Sequence, residues 1–512
     1  MEIRRLREHW EQYVAALMGC LWLAVFPLWQ DGSYSRITRA KLEGMHTLCI
    51  VMAVMGAGLV VGLLIQRRRR ELRWHPAQLL AAGYFLWVAL SAWQGAMAGQ
   101  LNRNGDLAVW LGAGRHEGLQ TQLFYGLIFF SMSLVRPRLK VVLRIAAVTL
   151  IVFFTVTLCQ YADRNPLGLF PAGLSTRTNY EFQGTIGNID MVSGYLCLAV
   201  ALMLGGFVWC RQADPLLLMA GLCGVMDQLM IEVQSGIIAL ALGMGLLGIL
   251  LLVKPGFRWR IMTVYGGVLV LVSVRLMLRL PWLEGTEQVQ FLHEPTLMKC
   301  LPALCGVGCW VAAALLRCHP GRAMRKTSAL ILTIVILLAG VVLMYNLPLT
   351  ESAGGLWEIQ QVLQGNAQDS FGSYRMGVWR YTLDFARANP VFGTGPDTFL
   401  YAMKHYLAVN FFSLPETFDN PHNEYLAILS NNGLPALVLY LSLMGTLILS
   451  CIRSRRRETK ILAGAVVLFM MQGFFSFSIC LVTPMFWAVC GMACAWSAQE
   501  RPLTTARSER KN

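Results

Sequence analysis

Apolar residues in this chain come in long runs that recur from end to end, separated by short polar segments. A run of about 20 apolar residues can cross the roughly 30 Å of bilayer hydrocarbon as a helix. Barrel strands would need segments of about 10 residues with alternating polarity, and that alternation is not seen. The pattern predicts an all-α fold: a polytopic transmembrane helical bundle of about 12–14 spans, with a helical extracytoplasmic loop subdomain.

Fourteen spans are predicted, and the last two are separated by only two residues. They lie at residues 13–29, 45–65, 78–97, 119–135, 141–161, 188–209, 214–231, 236–253, 261–278, 298–316, 327–345, 426–450, 461–482 and 485–498. This divides the chain into residues 1–345 with spans 1–11, an extracytoplasmic loop at 346–425, C-terminal spans at 426–500 and a cytoplasmic tail at 501–512. No internal repeat is visible, which argues against a transporter built from duplicated halves.

Composition agrees with this class, since 56% of the 512 residues are hydrophobic and only 14% are charged. A soluble chain carries about a quarter charged residues. The net charge of +15 is clustered between apolar runs, as at 67–70, 136–140 and 453–460. Assigning alternate loops to the cytoplasm places most Lys and Arg residues inside, as the positive-inside rule requires. We therefore expect a multi-pass membrane protein with both termini cytoplasmic, lipid as its surroundings and no nucleic-acid partner.

The predicted outward loops are uneven, and the longest, at 346–425, contains helix signals. Residues 373–389 carry apolar side chains near helical spacing, and Pro390 ends that helix. After a turn at 393–396, Asp397 is expected to cap a second helix through Tyr406. The segment therefore predicts an ordered subdomain that lies on the membrane.

The strongest candidate chemistry follows that subdomain, in Asp419-Asn420-Pro421-His422-Asn423. Asn420 is a good helix cap and Pro421 a good first helical residue, which would place His422 in the first turn of the twelfth span. The helix dipole there disfavours a protonated imidazole, and a neutral His can act as a general base. The alternative is a His that only caps or anchors the helix.

Arginines in the outward loops are the second candidates. Arg375 stands beside the predicted helix, and Arg115 and Arg177 lie in other outward loops. The planar guanidinium of an Arg can bind a diphosphate through two parallel hydrogen bonds. The alternative is an Arg at the membrane interface that only extends its charged end into water. His116 and Glu117 are interpreted as a loop hydrogen bond. The Gly-rich segment 184–190 is a weak signal for a cavity lining.

In combination, these segments resemble the O-antigen ligase and O-antigen polymerase family of bacterial membrane glycosyltransferases. The ordered matches are RHEGL at 115–119, GTIGN at 184–188, Arg375 followed by Trp379, PVFGTG at 390–395, and PHNEYL at 421–426 running into NNGLPALVLYL at 431–441. The resemblance covers residues 115–441, and the order is more specific than any one motif.

The resemblance implies a protein of the bacterial cytoplasmic (inner) membrane. It implies transfer of a glycan from an undecaprenyl-diphosphate-linked donor to a sugar hydroxyl of a glycan or glycolipid acceptor at the outer face of that membrane, without metal or cofactor. By the same resemblance, His422 takes the acceptor proton and Arg375 holds the diphosphate. The substrate-binding residues that it implies are Arg115, Arg177, Asn188, Trp379, Gly393, Gly395, Asn420, Asn423 and Tyr425.

One departure from the family pattern concerns the Ser-Arg-Gly element that opens the eighth span in many relatives. Here the segment reads Gln234-Ser235-Gly236, so the usual second diphosphate contact is missing from this element, and Arg115 and Arg177 are the candidates to substitute for it. The choice between polymerase and ligase depends on the acceptor and stays open. A lipid-linked oligosaccharide flippase or another polytopic transporter is the alternative function.

Overall fold

The computed structural model describes residues 9–97, 109–112, 115–171, 173–176, 179, 181–278, 296–319, 321, 324–351, 354–409 and 418–498. Within these ranges the regular structure is almost entirely helical. The strands present there are β1 (Phe182–Gln183) and β2 (Gly187–Asn188), which form one short antiparallel pair. The all-α prediction is confirmed. The predicted tail at 501–512 and Arg177 lie outside the described residues.

Seventeen helices build the described part of the chain, and fourteen of them coincide with the predicted spans. They are α1 (Trp10–Leu28), α2 (Ile37–Ile65), α3 (Pro76–Met97), α4 (Leu119–Ser133), α5 (Leu139–Tyr161), α6 (Ile189–Trp209), α7 (Pro215–Ile231), α8 (Gln234–Val253), α9 (Arg258–Met277), α10 (Thr296–Cys318), α11 (Lys326–Asn346), α12 (Gly355–Leu363), α13 (Arg375–Ala388), α14 (Phe399–Val409), α15 (Glu424–Arg453), α16 (Arg457–Gln472) and α17 (Thr483–Ser497).

Nine helices of the described ranges are long and apolar enough to cross a membrane: α1, α2, α3, α5, α6, α8, α9, α10 and α15. This confirms the polytopic helical bundle, while the exact number of spans stays a prediction. The most apolar stretch of α6 is 89% buried, against 17% for α8. Because a helix that is apolar on all sides is stable inside a bundle, α6 forms the centre, packed against α5, α7, α8 and α16.

The second span begins eight residues earlier than predicted because its first turns contain a buried charge. Lys41 is fully buried in α2, and its Nζ donates hydrogen bonds to the carbonyl oxygens of Phe26 and Pro27 at 2.7 and 2.9 Å. Paired in this way, a lysine is tolerated within the bundle, although hydropathy alone counts it as a break.

The predicted span at 461–482 is wrong at its outer end. The helix α16 stops at Gln472, and residues 473–482 form a non-helical segment before Pro484 enters the first turn of α17. Irregular backbone at membrane depth is tolerated where protein buries it. Phe477 and Cys480 are accordingly buried. The apolar side chains of this segment made it indistinguishable from a helix by sequence.

The predicted helices of segment 346–425 are present, with changed bounds. The helix predicted at 373–389 is α13, and the second predicted helix is α14; they pack together through Val378, Tyr381, Phe385, Phe399 and Met403. The short helix α12 was not predicted. The division of the chain at 345 and 425 stays a prediction.

The predicted cap at Asp397 is wrong, because the helix begins two residues later, after Thr398. The Asp397 carboxylate instead accepts a hydrogen bond of 3.0 Å from the backbone N–H of Glu117, in the loop that precedes α4. Asp397 therefore ties segment 346–425 to a distant loop.

Candidate active site

His422 lies in a tight turn just before α15, two residues before the first helical residue, Glu424. The cap of α15 is Asn423, whose Oδ1 accepts hydrogen bonds from the backbone N–H groups of Tyr425 and Leu426. Asn420 Oδ1 accepts instead from the backbone N–H of His422 at 2.9 Å, and His422 adopts a left-handed φ of 50°. The predictions of Asn420 as the cap and of His422 in the first turn are therefore wrong. This turn holds the His422 backbone in a conformation that non-glycine residues seldom adopt.

The His422 imidazole packs edge-on against two aromatic rings, those of Phe477 at 5.1 Å and Phe418 at 6.5 Å between centroids. Burial and, to a lesser extent, the positive charges of Arg375 and Arg115 together lower the pKa of His422 to about 4, against an opposing effect of the Asp419 carboxylate. The ring is therefore neutral at pH 7, as predicted, although burial and two guanidinium groups are the causes rather than the helix dipole.

Arg115 is fixed on one side of His422 by two contacts. Its Nε and Nη2 donate to the two carboxylate oxygens of Asp419, each at 2.7 Å, which is the bidentate geometry of a strong ion pair. Its guanidinium also lies 4.2 Å from the centroid of the Phe477 ring, in cation–π contact. Phe477 thus contacts both Arg115 and His422.

Arg375 is the first residue of α13 and approaches His422 from another part of the chain. The three residues before it, Gly372, Ser373 and Tyr374, all have left-handed φ values of 55–65°. Such strain persists where the surroundings fix it, and it is typical of functional sites. Among the described residues Arg375 has no hydrogen-bond or ion-pair partner for its side chain. Its charge acts on both His422 and Asp190.

Trp379 connects α13 to the His422 turn. Its Nε1 donates a 2.8 Å hydrogen bond to the carbonyl oxygen of Pro421, and its ring contacts Phe474 and Phe475. Residues four apart in a helix lie on the same face, so Trp379 aligns Arg375 with this turn.

The segment at 184–190 leads into the first turn of α6, which lies in the same region of the molecule as Arg375 and Arg115. Asn188, predicted to bind substrate, caps α6 by accepting a 2.9 Å hydrogen bond from the backbone N–H of Asp190. The Asp190 carboxylate lies within the electrostatic reach of both Arg375 and Arg115. Asp190 was not singled out from the sequence, because an Asp in the first turn of a helix usually only complements the dipole.

The glycine turn at 390–395 lies against the middle of α15 rather than at His422. The α15 backbone is broken at Gly433, whose φ is 80°, and this frees backbone groups to bond elsewhere. Gly395 N–H donates to the Asn431 carbonyl at 2.7 Å, and a Cβ on Gly393 would stand 2.4 Å from the Asn431 backbone. Gly393 and Gly395 therefore have a packing role, and substrate contact by them stays a prediction.

The neighbours of His422 in α15 are also anchored. The Tyr425 hydroxyl donates a 2.7 Å hydrogen bond to the Met470 carbonyl. The Glu424 carboxylate accepts from both the backbone N–H and the hydroxyl of Ser478, and its own N–H donates to the Gly473 carbonyl. Glu424 thereby holds the non-helical segment that carries Phe477. Sequence reasoning missed this residue because the partner segment was predicted to be helical.

The segment Gln234-Ser235-Gly236, which lacks the arginine of the Ser-Arg-Gly element, begins α8 and is closely packed at its glycine. A Cβ on Gly236 would stand 2.1 Å from Ser193 Oγ and 2.4 Å from Gln228 Nε2, so α8 contacts α6 and α7 tightly here. Of the two predicted substitutes, Arg115 lies beside His422, while Arg177 is outside the described residues. No group of three or more His, Cys, Asp or Glu in the described ranges could hold a metal ion.

Comparison with known proteins identifies a family for the region that carries this site. Residues 303–441 match the family model described as O-antigen ligase. The matched region includes Arg375, Trp379, the glycine turn and His422, and the match supports the family assignment predicted from the ordered motifs. No curated protein matches the chain.

Proposed function

We propose that this protein, whose residues 303–441 match the O-antigen ligase family, transfers a glycan from an undecaprenyl-diphosphate-linked donor to a sugar hydroxyl at the outer face of the cytoplasmic membrane. The family supports a ligase-type activity in surface polysaccharide assembly. The observation that carries the finer proposal is a neutral, half-buried His422 within the electrostatic reach of two arginines. Arg115 is paired with Asp419, whereas Arg375 has no partner among the described residues.

The proposed reaction is a displacement at the anomeric carbon of the donor. The acceptor hydroxyl oxygen bonds to that carbon while His422 takes its proton, and the bond to the diphosphate oxygen breaks. The lipid diphosphate leaves with the bonding electron pair. A neutral imidazole can accept this proton, and such general-base help contributes roughly 10²- to 10⁴-fold to rate.

Arg375 is proposed to hold the diphosphate and the charge that develops on it. Its guanidinium has no protein partner among the described residues, so its donors are available to phosphate oxygens. The first three N–H groups of α13 already donate to the carbonyls of Gly372, Phe371 and Asp369. The contact with the diphosphate therefore depends on the side chain rather than on the helix terminus.

Binding of the glycan donor would also change the pKa of the proposed base, His422. Arg375 and Arg115 both lower the pKa of His422, which in the free protein is about 4. A diphosphate bound to Arg375 brings negative charge beside the imidazole, and an opposite charge favours the protonated form. The pKa of His422 then rises toward neutrality, where a general base is most effective. His422 would become a competent base when the donor is in place.

The test is a transfer assay with purified protein in lipid vesicles, using a labelled glycan on undecaprenyl diphosphate and a glycolipid acceptor. We expect label on the acceptor together with release of undecaprenyl diphosphate. If the donor crosses the bilayer with its glycan still attached and none is transferred, the protein is a flippase and the proposal is wrong.

A further inference from the structure

A large basic cavity lies on the face of the bundle opposite His422. It has a volume of about 640 Å³ and is enclosed by the start of α1, the α2–α3 loop, the α4–α5 connection, the start of α5, the α15–α16 loop and the end of α17. Six cationic side chains and two carboxylates line it: Arg73, Arg136, Arg138, Lys140, Arg144, Arg456, Glu71 and Glu458. The positive-inside rule assigns this face to the cytoplasm.

Two of these cations, Arg136 and Arg144, already form hydrogen bonds with other parts of the bundle. Arg136 Nε and Nη2 donate to the carbonyl oxygens of Ala495 and Ala498 at the end of α17. Arg144 Nε donates to the Asp214 carboxylate at 2.6 Å. These contacts give the cavity fixed walls.

Three other donors belong to residues that line the cavity and are buried within its walls: Arg73 Nε, Arg138 Nε and Trp496 Nε1. None of the three atoms has a hydrogen-bond partner in the described part of the chain, although another nitrogen of Arg73 lies 3.5 Å from the Glu71 carboxylate. The Arg138 guanidinium is held in place by the Tyr13 ring, at 4.2 Å from its centroid. Among the described residues of the cavity lining, no buried acceptor lacks a partner. Because an unpaired buried donor destabilises a protein, three of them around one cavity point to an anionic, acceptor-rich ligand. Arginines that only fix the orientation of the chain in the membrane do not need buried N–H groups without a partner.

We propose that this basic cavity binds the phosphate of an anionic phospholipid headgroup. Next to Lys140 and Arg144, α5 exposes an apolar row at helical spacing, with Val141, Ile145 and Val148 at 39%, 45% and 52% exposure. That row extends from the cavity mouth along the membrane-spanning helix, so an acyl chain can lie on it while the phosphate occupies the cavity. A free phosphate would make no use of the row. Basic pockets between helices on the cytoplasmic side are suited to such headgroups.

The experiment measures lipid binding to the detergent-purified full chain by native mass spectrometry, with phosphatidylglycerol and phosphatidylcholine as probes. We expect the wild-type protein to prefer phosphatidylglycerol by about tenfold or more, since each arginine near an anionic lipid contributes about fivefold. The double variant Arg73→Gln/Arg138→Gln should lose this preference. The matched control Arg455→Gln, an exposed arginine of the same face outside the cavity, should keep it.

A second variant keeps the proposal testable if the double variant does not fold. Trp496→Phe removes one N–H and keeps the aromatic packing, so it should weaken phosphatidylglycerol binding by about two- to fivefold, the effect of one lost hydrogen bond. Equal phosphatidylglycerol affinity in Trp496→Phe, Arg455→Gln and the wild type would overturn the proposal. Full displacement of the lipid by millimolar inorganic phosphate would also overturn it, since the cavity would then be a site for the free ion.

Discussion

Arg115 and Arg375 approach His422 from two regions of the molecule and are held in different ways. Arg115, in the loop before α4, is fixed by the Asp419 carboxylate and by the Phe477 ring. Arg375, at the start of α13, follows a turn of three left-handed residues and has no partner among the described residues. Both charges lower the pKa of the same imidazole. Arg115 is therefore part of the fixed structure of the site, whereas the guanidinium of Arg375 is available to a ligand.

The difference also shows how the site is assembled from distant segments. Trp379 fixes α13 to Pro421, while Glu424 fixes the non-helical segment 473–482 to the start of α15. Within the described part of the chain, these anchors leave the Arg375 side chain without a protein partner, while its charge reaches the imidazole. The predictions below test whether the two arginines differ as these contacts require.

The largest effect is expected for His422→Ala, which removes the proposed base that both arginines flank. Transfer should fall by roughly 10²- to 10⁴-fold, and the protein should remain inserted and at normal abundance. Asn423→Ala is the matched control, because loss of a helix cap costs about 1 kcal/mol of stability but leaves the imidazole in place. It should lower the melting temperature and retain most activity. A wild-type rate of glycan transfer by the His422→Ala variant would show that His422 has only a structural role.

The next largest effect is expected for Arg375→Gln. Loss of a donor aimed at developing charge reduces turnover by about 10²- to 10³-fold. Arg380→Gln is the control on the same helix, since Arg380 is exposed and pairs with Asp369. The assay is transfer by purified protein at saturating acceptor. Similar losses in both variants would show that the start of α13 has no special role.

A smaller effect is expected for Asp419→Asn, which releases Arg115 from its ion pair. The pair is partly exposed, and such pairs contribute about 1 kcal/mol or less, so transfer should fall by fivefold or less. A loss as large as that of Arg375→Gln would mean that the held arginine, rather than the available one, governs the reaction.

The smallest change is a shift in pH dependence. Because the pKa of His422 is lowered to about 4, the imidazole is neutral above that pH, and kcat/KM should decline only on the acid side of about pH 5. Arg375→Gln removes one of the charges that lower this pKa, so its residual activity should decline at a higher pH. In the wild type, the acid limb of kcat should lie above that of kcat/KM, because the bound diphosphate raises the pKa. An acid limb near 6.5 in kcat/KM would contradict the observed surroundings of His422.

Long apolar runs predicted the bundle well, because each span must satisfy its own backbone within lipid. The predicted span boundaries are wrong where residues distant in the sequence hydrogen-bond or bury a polar or irregular feature. Lys41 and segment 473–482 are the two cases. His422, Arg115 and Arg375 were singled out from their chemistry in outward loops, the family resemblance gave them roles, and the structure brings them together. Their contacts with Asp419, Phe477 and Asp190 depend on tertiary packing, which no local pattern records.

The most direct test of the difference between the two arginines is to replace each by lysine and measure transfer kinetics in one assay. A lysine keeps the charge but cannot reproduce the planar fork on a diphosphate. We predict that Arg375→Lys loses about 100-fold or more in kcat/KM, and that Arg115→Lys, which loses only a partly exposed ion pair, loses about fivefold or less. Equal losses, or a larger loss in Arg115→Lys, would contradict the assignment of Arg375 as the diphosphate ligand.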